Sequence, residues 1–272
     1  MFGVMLVASL GSGSAGNCCL FESDGTRILV DAGFGLRQTQ QRLKLLGREL
    51  GEVQAIVITH EHGDHVHGAA KIAAKFGIPV YATAGTLEAA GLDPRELSAR
   101  TFENNASFRI GELEIHSRRV IHDAADPSCF VVEARDGTRA GIASDLGVVD
   151  DPVLEHLKGC DALLFEANHD LDMLRSGSYP WSLKRRILSR HGHLSNDDAM
   201  EALARIVGEG TRHICLIHLS ERNNHESIVR SHTEELLARV GAGLEISVAT
   251  QHAPMTPIEI VRQGTRRQMR LF

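Results

Sequence analysis

Apolar residues from Val4 to Leu10 open the chain as a first strand, and a Gly/Ser turn from Gly11 to Asn17 follows. Cys18 to Glu22 and Thr26 to Val30 then flank Ser23-Asp24-Gly25, a hairpin signal. Helical spacing runs from Gly35 to Leu46 and stops at Gly47. Val53 to Thr59 is a short apolar run of the kind that forms a buried strand. Helical periodicity resumes from Asp64 to Phe76, ending at Gly77 with Pro79 just beyond. Phe108 to Val120 alternates apolar and polar residues around Gly111-Glu112. Phe130 to Ala134 and Arg139 to Ala143 flank Asp136-Gly137, a two-residue hairpin signal.

The second half reads as strands at Asp161 to Ala167 and His213 to His218, with helices at Trp181 to Arg190 and Asn196 to Val207. Ser195 is placed as the N-cap of the latter helix. Strands followed by helices in each half predict an α/β fold in which two packed sheets are covered by helices. No repeat, low-complexity tract or Pro/Ser-rich linker interrupts the pattern, so residues 1–272 read as a single domain. With 272 residues and 43% hydrophobic content, the chain can bury a sizeable core.

Composition narrows the setting. No apolar run approaches the roughly 18 to 20 residues a membrane helix needs, and no membrane association is expected. Met1 to Leu10 lacks a basic leader and a cleavage site, so it reads as a strand and not as a signal peptide. The five cysteines form no CxxC pair and are odd in number, which points to a reducing cytoplasm and away from a disulfide framework. A net charge of −6 argues against a broadly basic surface that coats nucleic acid. A local basic groove beside bound cations remains compatible with it.

The chemistry concentrates in Thr59-His60-Glu61-His62-Gly63-Asp64-His65, where the buried strand gives way to the helix. His60 and His62 are two apart in an extended segment, so their imidazoles can share one metal. Asp64 and His65, at the helix start, can face a second. Neutral imidazoles with a hard carboxylate suit Zn²⁺ and tolerate Mn²⁺ or Fe²⁺.

This HxHxDH run resembles the signature of metallo-β-lactamase-fold hydrolases, which implies an αββα sandwich of two mixed sheets flanked by helices and a pair of divalent cations. Other segments match the same pattern in order. Asp31, in Leu29-Val30-Asp31-Ala32-Gly33, resembles the family's early aspartate, which hydrogen-bonds a ligating imidazole from behind. His122, in Ile121-His122-Asp123, looks like the third ligand of the first metal. Asp145, in Ala143-Ser144-Asp145-Leu146-Gly147, looks like the bridging carboxylate, and His218, in Leu216-Ile217-His218-Leu219-Ser220, like the last ligand of the second metal.

A finer resemblance covers nearly the whole chain. Ser9 to Asn17, His122 to Pro127, Phe165 to Asp170, Tyr179 to Lys184, Gly192 to Asn196 and His218 to Asn224 are similar to segments of the bacterial WalJ/YycJ/VicX group, which implies a 5′-to-3′ DNA exonuclease. Only about seventy residues separate Asp145 from His218, too few for the insertion of the β-CASP nucleases. The short stretch from His122 to Asp145 holds a tight hairpin, which leaves no place for the arm of tRNA-processing relatives. The context of His122 also lacks the GHTPG-like pattern of the acyl-hydrolase branch.

By this resemblance the paired cations activate water for attack on a phosphodiester, with Asp64 at the catalytic centre as well as on the metal. His193 matches the position of a non-ligand histidine in phosphodiesterase relatives and is the candidate general acid, with Glu166 orienting it. Ser220, Arg222, Asn223 and Asn224, together with Ser14 and Asn17 of the Gly-rich turn, are the candidates for meeting substrate phosphates. DNA is the expected partner. A small cyclic or nucleotide phosphodiester is the first alternative, and a metal-binding regulatory protein without turnover is the second.

Several conspicuous residues carry less. Lys184, Arg185, Arg186 and Arg190 fit a solvated helix face more simply than a track for a nucleic-acid backbone. Tyr179 and Trp181 fit equally a base stack or a core lid beneath a helix. His169 lies near the motifs, and a place in the pocket is the minority reading. His67, His116, His156, His213, His225, His232 and His252 read as surface or local structure. Arg266 to Arg270 reads as a tail without a role.

Overall fold

Alternation along the strands resolves into two sheets laid face to face, in a computed structural model that describes residues 4–241 and 243–261. The first sheet contains β1 (Val4–Gly11), β2 (Cys18–Ser23), β3 (Thr26–Val30), β4 (Ala55–Val57), β5 (Val80–Ala82), β6 (Ala99–Thr101) and, pairing antiparallel with β1, β14 (Ile258–Val261). The second contains β7 (Ser107–Ile110), β8 (Leu113–Arg119), β9 (Ser128–Glu133), β10 (Arg139–Ala143), β11 (Ala162–Glu166), β12 (His213–Ile217) and β13 (Glu245–Val248). Strand order is β14-β1-β2-β3-β4-β5-β6 in one sheet and β13-β12-β11-β10-β9-β8-β7 in the other.

The helices are α1 (Leu36–Leu45), α2 (Gly63–Val66), α3 (Ala69–Phe76), α4 (Ala84–Ala89), α5 (Asp151–Leu157), α6 (Leu171–Ser176), α7 (Trp181–Ile187), α8 (Asn196–Ile206) and α9 (Glu226–Val240). The period-2 pleat sends alternate residues to opposite faces, and here both faces are covered. Phe21, Ile28 and Val30 pack inward against Phe130, Val132, Ile142 and Leu164 of the facing sheet. Leu20, Leu29 and Ile56 turn outward beneath Leu43 of α1 and Ile72 of α3. Leu163, Phe165 and Ile214 do the same beneath Leu154 of α5 and Leu203 of α8. Layers therefore run helix, sheet, sheet, helix, the metallo-β-lactamase arrangement that the resemblance implies.

Parallel pairing decides where chemistry can gather. β3, β4 and β5 run parallel, as do β10, β11 and β12, so each group delivers its C-terminal ends to one edge. Asp31 and His60 follow the ends of β3 and β4, and Asp145, Glu166 and His218 lie at or just beyond the ends of β10, β11 and β12.

The single helix expected from Asp64 to Phe76 is two, broken after Val66. Other segments claim the main chain at the break: Asp64 O accepts Asn17 N at 2.7 Å, His65 O accepts Ala32 N at 2.8 Å, and Gly68 N donates to Ala32 O at 2.8 Å. A side chain at Gly68 would meet Phe34 O at 2.0 Å, so the periodicity seen in sequence hides a close crossing of backbones. The β9–β10 connection also differs. Ala134 N donates to Thr138 O, closing a three-residue loop with Gly137 at φ 83° in place of a two-residue turn. Helix α7 ends at Ile187 and not at Arg190, because the chain doubles back and His193 N takes the Ile187 carbonyl at 3.0 Å.

All five cysteines are free and buried. Among the described residues no helix is long and apolar enough to cross a membrane. The basic segment Arg266 to Arg270 lies outside the described residues.

Candidate metal centre

Asp31, Asp145 and His218, which the sequence marks as site residues, all have left-handed backbone, with φ of 64°, 57° and 58°. Left-handed non-glycine residues cost about 1–3 kcal/mol and persist where surrounding structure holds them. Each sits just past a strand end, on the edge of its sheet that faces the cluster. Ser12 Oγ accepts the His218 main-chain N–H at 2.8 Å and donates to Asn17 Oδ1 at 2.8 Å, tying the Gly/Ser turn to the β12 end.

Side chains from both sheets converge there. Ligand atoms of His60, His62 and His122 lie within 4.8 Å of one another, as do those of Asp64, His65 and His218, and those of His60, His65 and Asp145. The partner of each imidazole fixes which nitrogen faces the cluster. His65 Nδ1 lies 2.8 Å from Asp31 Oδ2, His122 Nδ1 3.0 Å from Gly192 O, and His218 Nδ1 3.0 Å from Glu166 Oε1. Those oxygens only accept, so Nδ1 carries a ring hydrogen and Nε2 is the nitrogen turned to the cluster. Thr59 Oγ1 lies 3.0 Å from His60 Nδ1 and 3.0 Å from each Asp31 oxygen, which gives His60 the same orientation.

The inward atoms are crowded acceptors. His65 Nε2 is 3.1 Å from Asp145 Oδ2 and 3.4 Å from Asp64 Oδ2; His218 Nε2 is 3.5 Å from Asp64 Oδ2; His122 Nε2 is 3.3 Å from His62 Nδ1. His60 Nε2, Asp145 Oδ2 and His218 Nε2 are buried without a hydrogen bond. Buried acceptors facing one another require positive charge between them, and this donor set of imidazoles and carboxylates suits a divalent cation.

The same demand governs protonation. Burial pushes the His65 imidazole down, but Asp145 and Asp31 reverse that and hold its pKa well above the usual histidine range. His218 is likewise raised to about 10, with Asp145, Asp64 and Glu166 overcoming burial. Burial would raise the Asp145 carboxyl, yet His218 and His65 hold it well below the ordinary range. At His60 burial and His65 outweigh the opposing pull of Asp145 and hold its pKa well down.

His193 stands beside the cluster, its Nδ1 2.8 Å from Glu166 Oε1 and 3.6 Å from Asp145 Oδ1. Glu166 is fully buried, shares Oε1 between His193 and His218, and accepts Leu146 N on Oε2 at 2.7 Å. Burial favours its neutral form, but His193 leads a set of contacts that lower its pKa to about 2.

A cleft of about 420 Å³ opens over the cluster. Ser14 and Ser220 line it, together with Asp64, Asp145, His193 and His218. Asn17, Asn223 and Asn224, expected to meet substrate, are instead buried and engaged elsewhere. Asn17 Nδ2 reaches Gly13 O, Asp64 Oδ2 and His65 Nε2 at 3.1, 3.2 and 3.1 Å. Asn224 Nδ2 donates to Ala167 O, Asn168 O and Asn196 Oδ1, while Asn223 bonds Ser220 Oγ. Short amides in a buried turn satisfy main-chain groups first. Arg222 lies with its guanidinium 5.9 Å from the Tyr179 ring centre.

The basic stretch divides by position. Lys184 is buried and donates to Arg175 O and Gly177 O, both at 2.7 Å. Arg186 lines the cleft and pairs with Asp123 Oδ2 at 2.6 Å, while Arg185 and Arg190 are exposed. Tyr179 lines the cleft, and Trp181, 60% exposed, serves as no core lid. His169 is buried with neither ring nitrogen hydrogen-bonded, and burial lowers its pKa to about 4.

Sequence reasoning gave Thr59 and Ser12 no role of their own and read Arg186 with its neighbours as a solvated helix face. Thr59 had a usable signal, a hydroxyl ending an apolar run beside two histidines. Arg186 shares the spacing of Leu183 and Ile187 on one helix face, which charge counting alone ignores.

Residues 26–219 match the family described as the beta-lactamase superfamily domain. The chain is 37% identical over 239 residues to "Exodeoxyribonuclease YycJ" of Bacillus anthracis, covering 86% of this chain and 90% of that one. It is 38% identical over 246 residues to "Exodeoxyribonuclease WalJ" of Streptococcus pneumoniae, covering 88% and 91%. The metallo-beta-lactamase fold protein YhfI from Bacillus subtilis superposes with a TM-score of 0.71 at 18% identity, over 94% of this chain and 100% of that one, a likeness of fold.

Proposed function

This chain belongs to the beta-lactamase superfamily and to its group of YycJ and WalJ exodeoxyribonucleases, and on that footing we propose that it is a metal-dependent 5′-to-3′ DNA exonuclease. One domain, residues 1–272, carries the whole site. His60, His62 and His122 would hold one divalent cation, Asp64, His65 and His218 a second, and Asp145 would bridge them. Zn²⁺ or Mn²⁺ suits these ligands, and Fe²⁺ is compatible. Such a pair lowers the pKa of bound water and offsets charge on a phosphodiester undergoing attack.

The chain's own groups do the rest. Asp31, Thr59 and Glu166 set the tautomers that leave Nε2 lone pairs inward. Glu166 accepts the Nδ1–H of His193, so that in the imidazolium form Nε2 would carry the proton given to the departing 3′ oxygen. Ser14 and Ser220 offer hydroxyls along the cleft, and Arg186 supplies cationic charge at its margin.

The observation that carries this reading is the packing of buried, donor-less atoms on His60, Asp145 and His218 beneath a cleft with His193 at its wall. Incubating the protein with Mn²⁺ or Zn²⁺ and 5′-labelled single- and double-stranded DNA, RNA and bis-p-nitrophenyl phosphate tests it. Stepwise release from the 5′ end of DNA is expected. Hydrolysis of the small diester alone would replace the nuclease by a small-molecule phosphodiesterase. Cation binding with no turnover on any substrate would leave a regulatory metal-binding protein.

A further inference from the structure

The cleft has two chemically unlike sides. Its floor is the His/Asp cluster. Tyr179, Leu183 and Ile187 also line it: Leu183 and Ile187, four residues apart on α7, share one helix face, and Tyr179 joins them from just before the helix. A phosphodiester has little use for such a surface: its oxygens need donors or cations, and here the ring face and the two aliphatic chains offer neither, leaving the Tyr179 hydroxyl as the donor of this wall.

We propose that Tyr179, Leu183 and Ile187 form a nucleobase subsite, which receives the unpaired terminal base of a DNA strand while the adjoining phosphate lies at the His/Asp cluster. This rests on the nuclease reading above and adds to it the form in which the strand enters. Three further observations support it. At about 420 Å³ the cleft is on the scale that encloses a molecule of drug size, which one nucleotide matches. The wall is held in place before any ligand arrives. Buried Lys184 pins the carbonyls of Arg175 and Gly177, four and two residues before Tyr179, and Asp170 N bonds Asn223 O at 2.8 Å at the start of α6. The Arg222 guanidinium sits over the Tyr179 ring at 5.9 Å from its centre, a cation–π contact that ties the ring to the turn following β12. A duplex end must then fray, placing its terminal nucleotide out of the stack before cleavage.

A substrate-by-residue cycle tests the subsite. Initial rates are measured for the unaltered protein, Tyr179→Ala and Tyr179→Phe on single-stranded DNA whose 5′-terminal nucleotide is either normal or abasic. Tyr179→Ala should raise KM on normal DNA by about tenfold, the scale of one base–aromatic stack. That penalty should vanish on the abasic end, and Tyr179→Phe should restore normal behaviour. An equal penalty on both ends would overturn the subsite while leaving the nuclease standing. In a second arm, a duplex with a mismatched, frayed 5′ end should be cut faster than a fully paired one; equal rates would overturn entry as an unpaired nucleotide. Protein that leaves every DNA intact overturns the nuclease reading, and the subsite with it.

Discussion

Asp31 Oδ2 stands 2.8 Å from Nδ1 of His65, and that one contact decides which ring nitrogen of a fully buried histidine faces the cluster. Asp31 is not itself among the side chains crowded at the centre. It acts through His65, and through Thr59, whose N–H it accepts at 2.8 Å. Replacing it by alanine should lower cation affinity about 10- to 100-fold. Competition with a fluorescent chelator measures this, with circular dichroism confirming that the variant folds. Unchanged affinity would remove Asp31 from the role.

His193 lies close enough to Asp145, Glu166 and His218 to share a cation with them, so its role as proton donor needs separating from that of ligand. His193→Ala is expected to keep its bound metal by elemental analysis and to lose about 10²- to 10⁴-fold in turnover. Metal lost together with activity would make His193 a ligand.

A methyl group at Gly33 would meet the Asp64 carbonyl at 1.8 Å and the Asn17 nitrogen at 2.6 Å, both backbone atoms beside the cluster. Neither neighbour is a flexible side-chain end. Gly33→Ala should cost about 3 kcal/mol or more, read from denaturant midpoints. Gly208→Ala, where nothing lies within 4 Å, should change stability by less than about 0.5 kcal/mol. Equal effects would mean that the 33–64 crossing yields easily.

Far from the cleft, Glu22 takes Arg27 Nε at 2.8 Å and Arg48 Nε at 2.6 Å on one oxygen. Burial favours the neutral acid, but the two arginines prevail and hold its pKa below the usual carboxylate range. A carboxyl with a lowered folded-state pKa stabilises fully above its unfolded pKa and loses that contribution as pH falls through the folded one. Glu22→Gln should therefore cost about 1 kcal/mol at pH 7. The gap from the unaltered protein should shrink steadily below about pH 4.5 in urea melts. A gap that is constant with pH would exclude the ionic contribution.

Much of this molecule is legible along its sequence. Central strands declare themselves as apolar runs because both faces of each sheet are covered, and the hairpins carry Gly at the positions that turn. His60, His62, Asp64 and His65 are adjacent in the chain, so their spacing alone announces a metal site. The break after Val66 was hidden, because the contacts that stop the helix come from Asn17, Ala32 and Phe34, which no local periodicity reports.

The order of apolar and polar residues determined the layers, the strand ends and the short loop of ligands, since pleat and helix periods are properties of a few neighbouring residues. Which distant groups meet was settled by folding. Parallel pairing of β3 with β4 and of β10 with β11 and β12 brings Asp31, Asp145, Glu166 and His218 to a common edge. Tautomers, buried charge and the fate of each amide follow from that meeting. For that reason Asn224, which looks in sequence like a hand for a substrate, serves the backbone, Asn17 reaches Gly13 O and the cluster's own Asp64 and His65, and Lys184 serves a turn. Hydrogen-bond partners are chosen in three dimensions, where burial leaves no polar group free to wait for a ligand unless something holds it there.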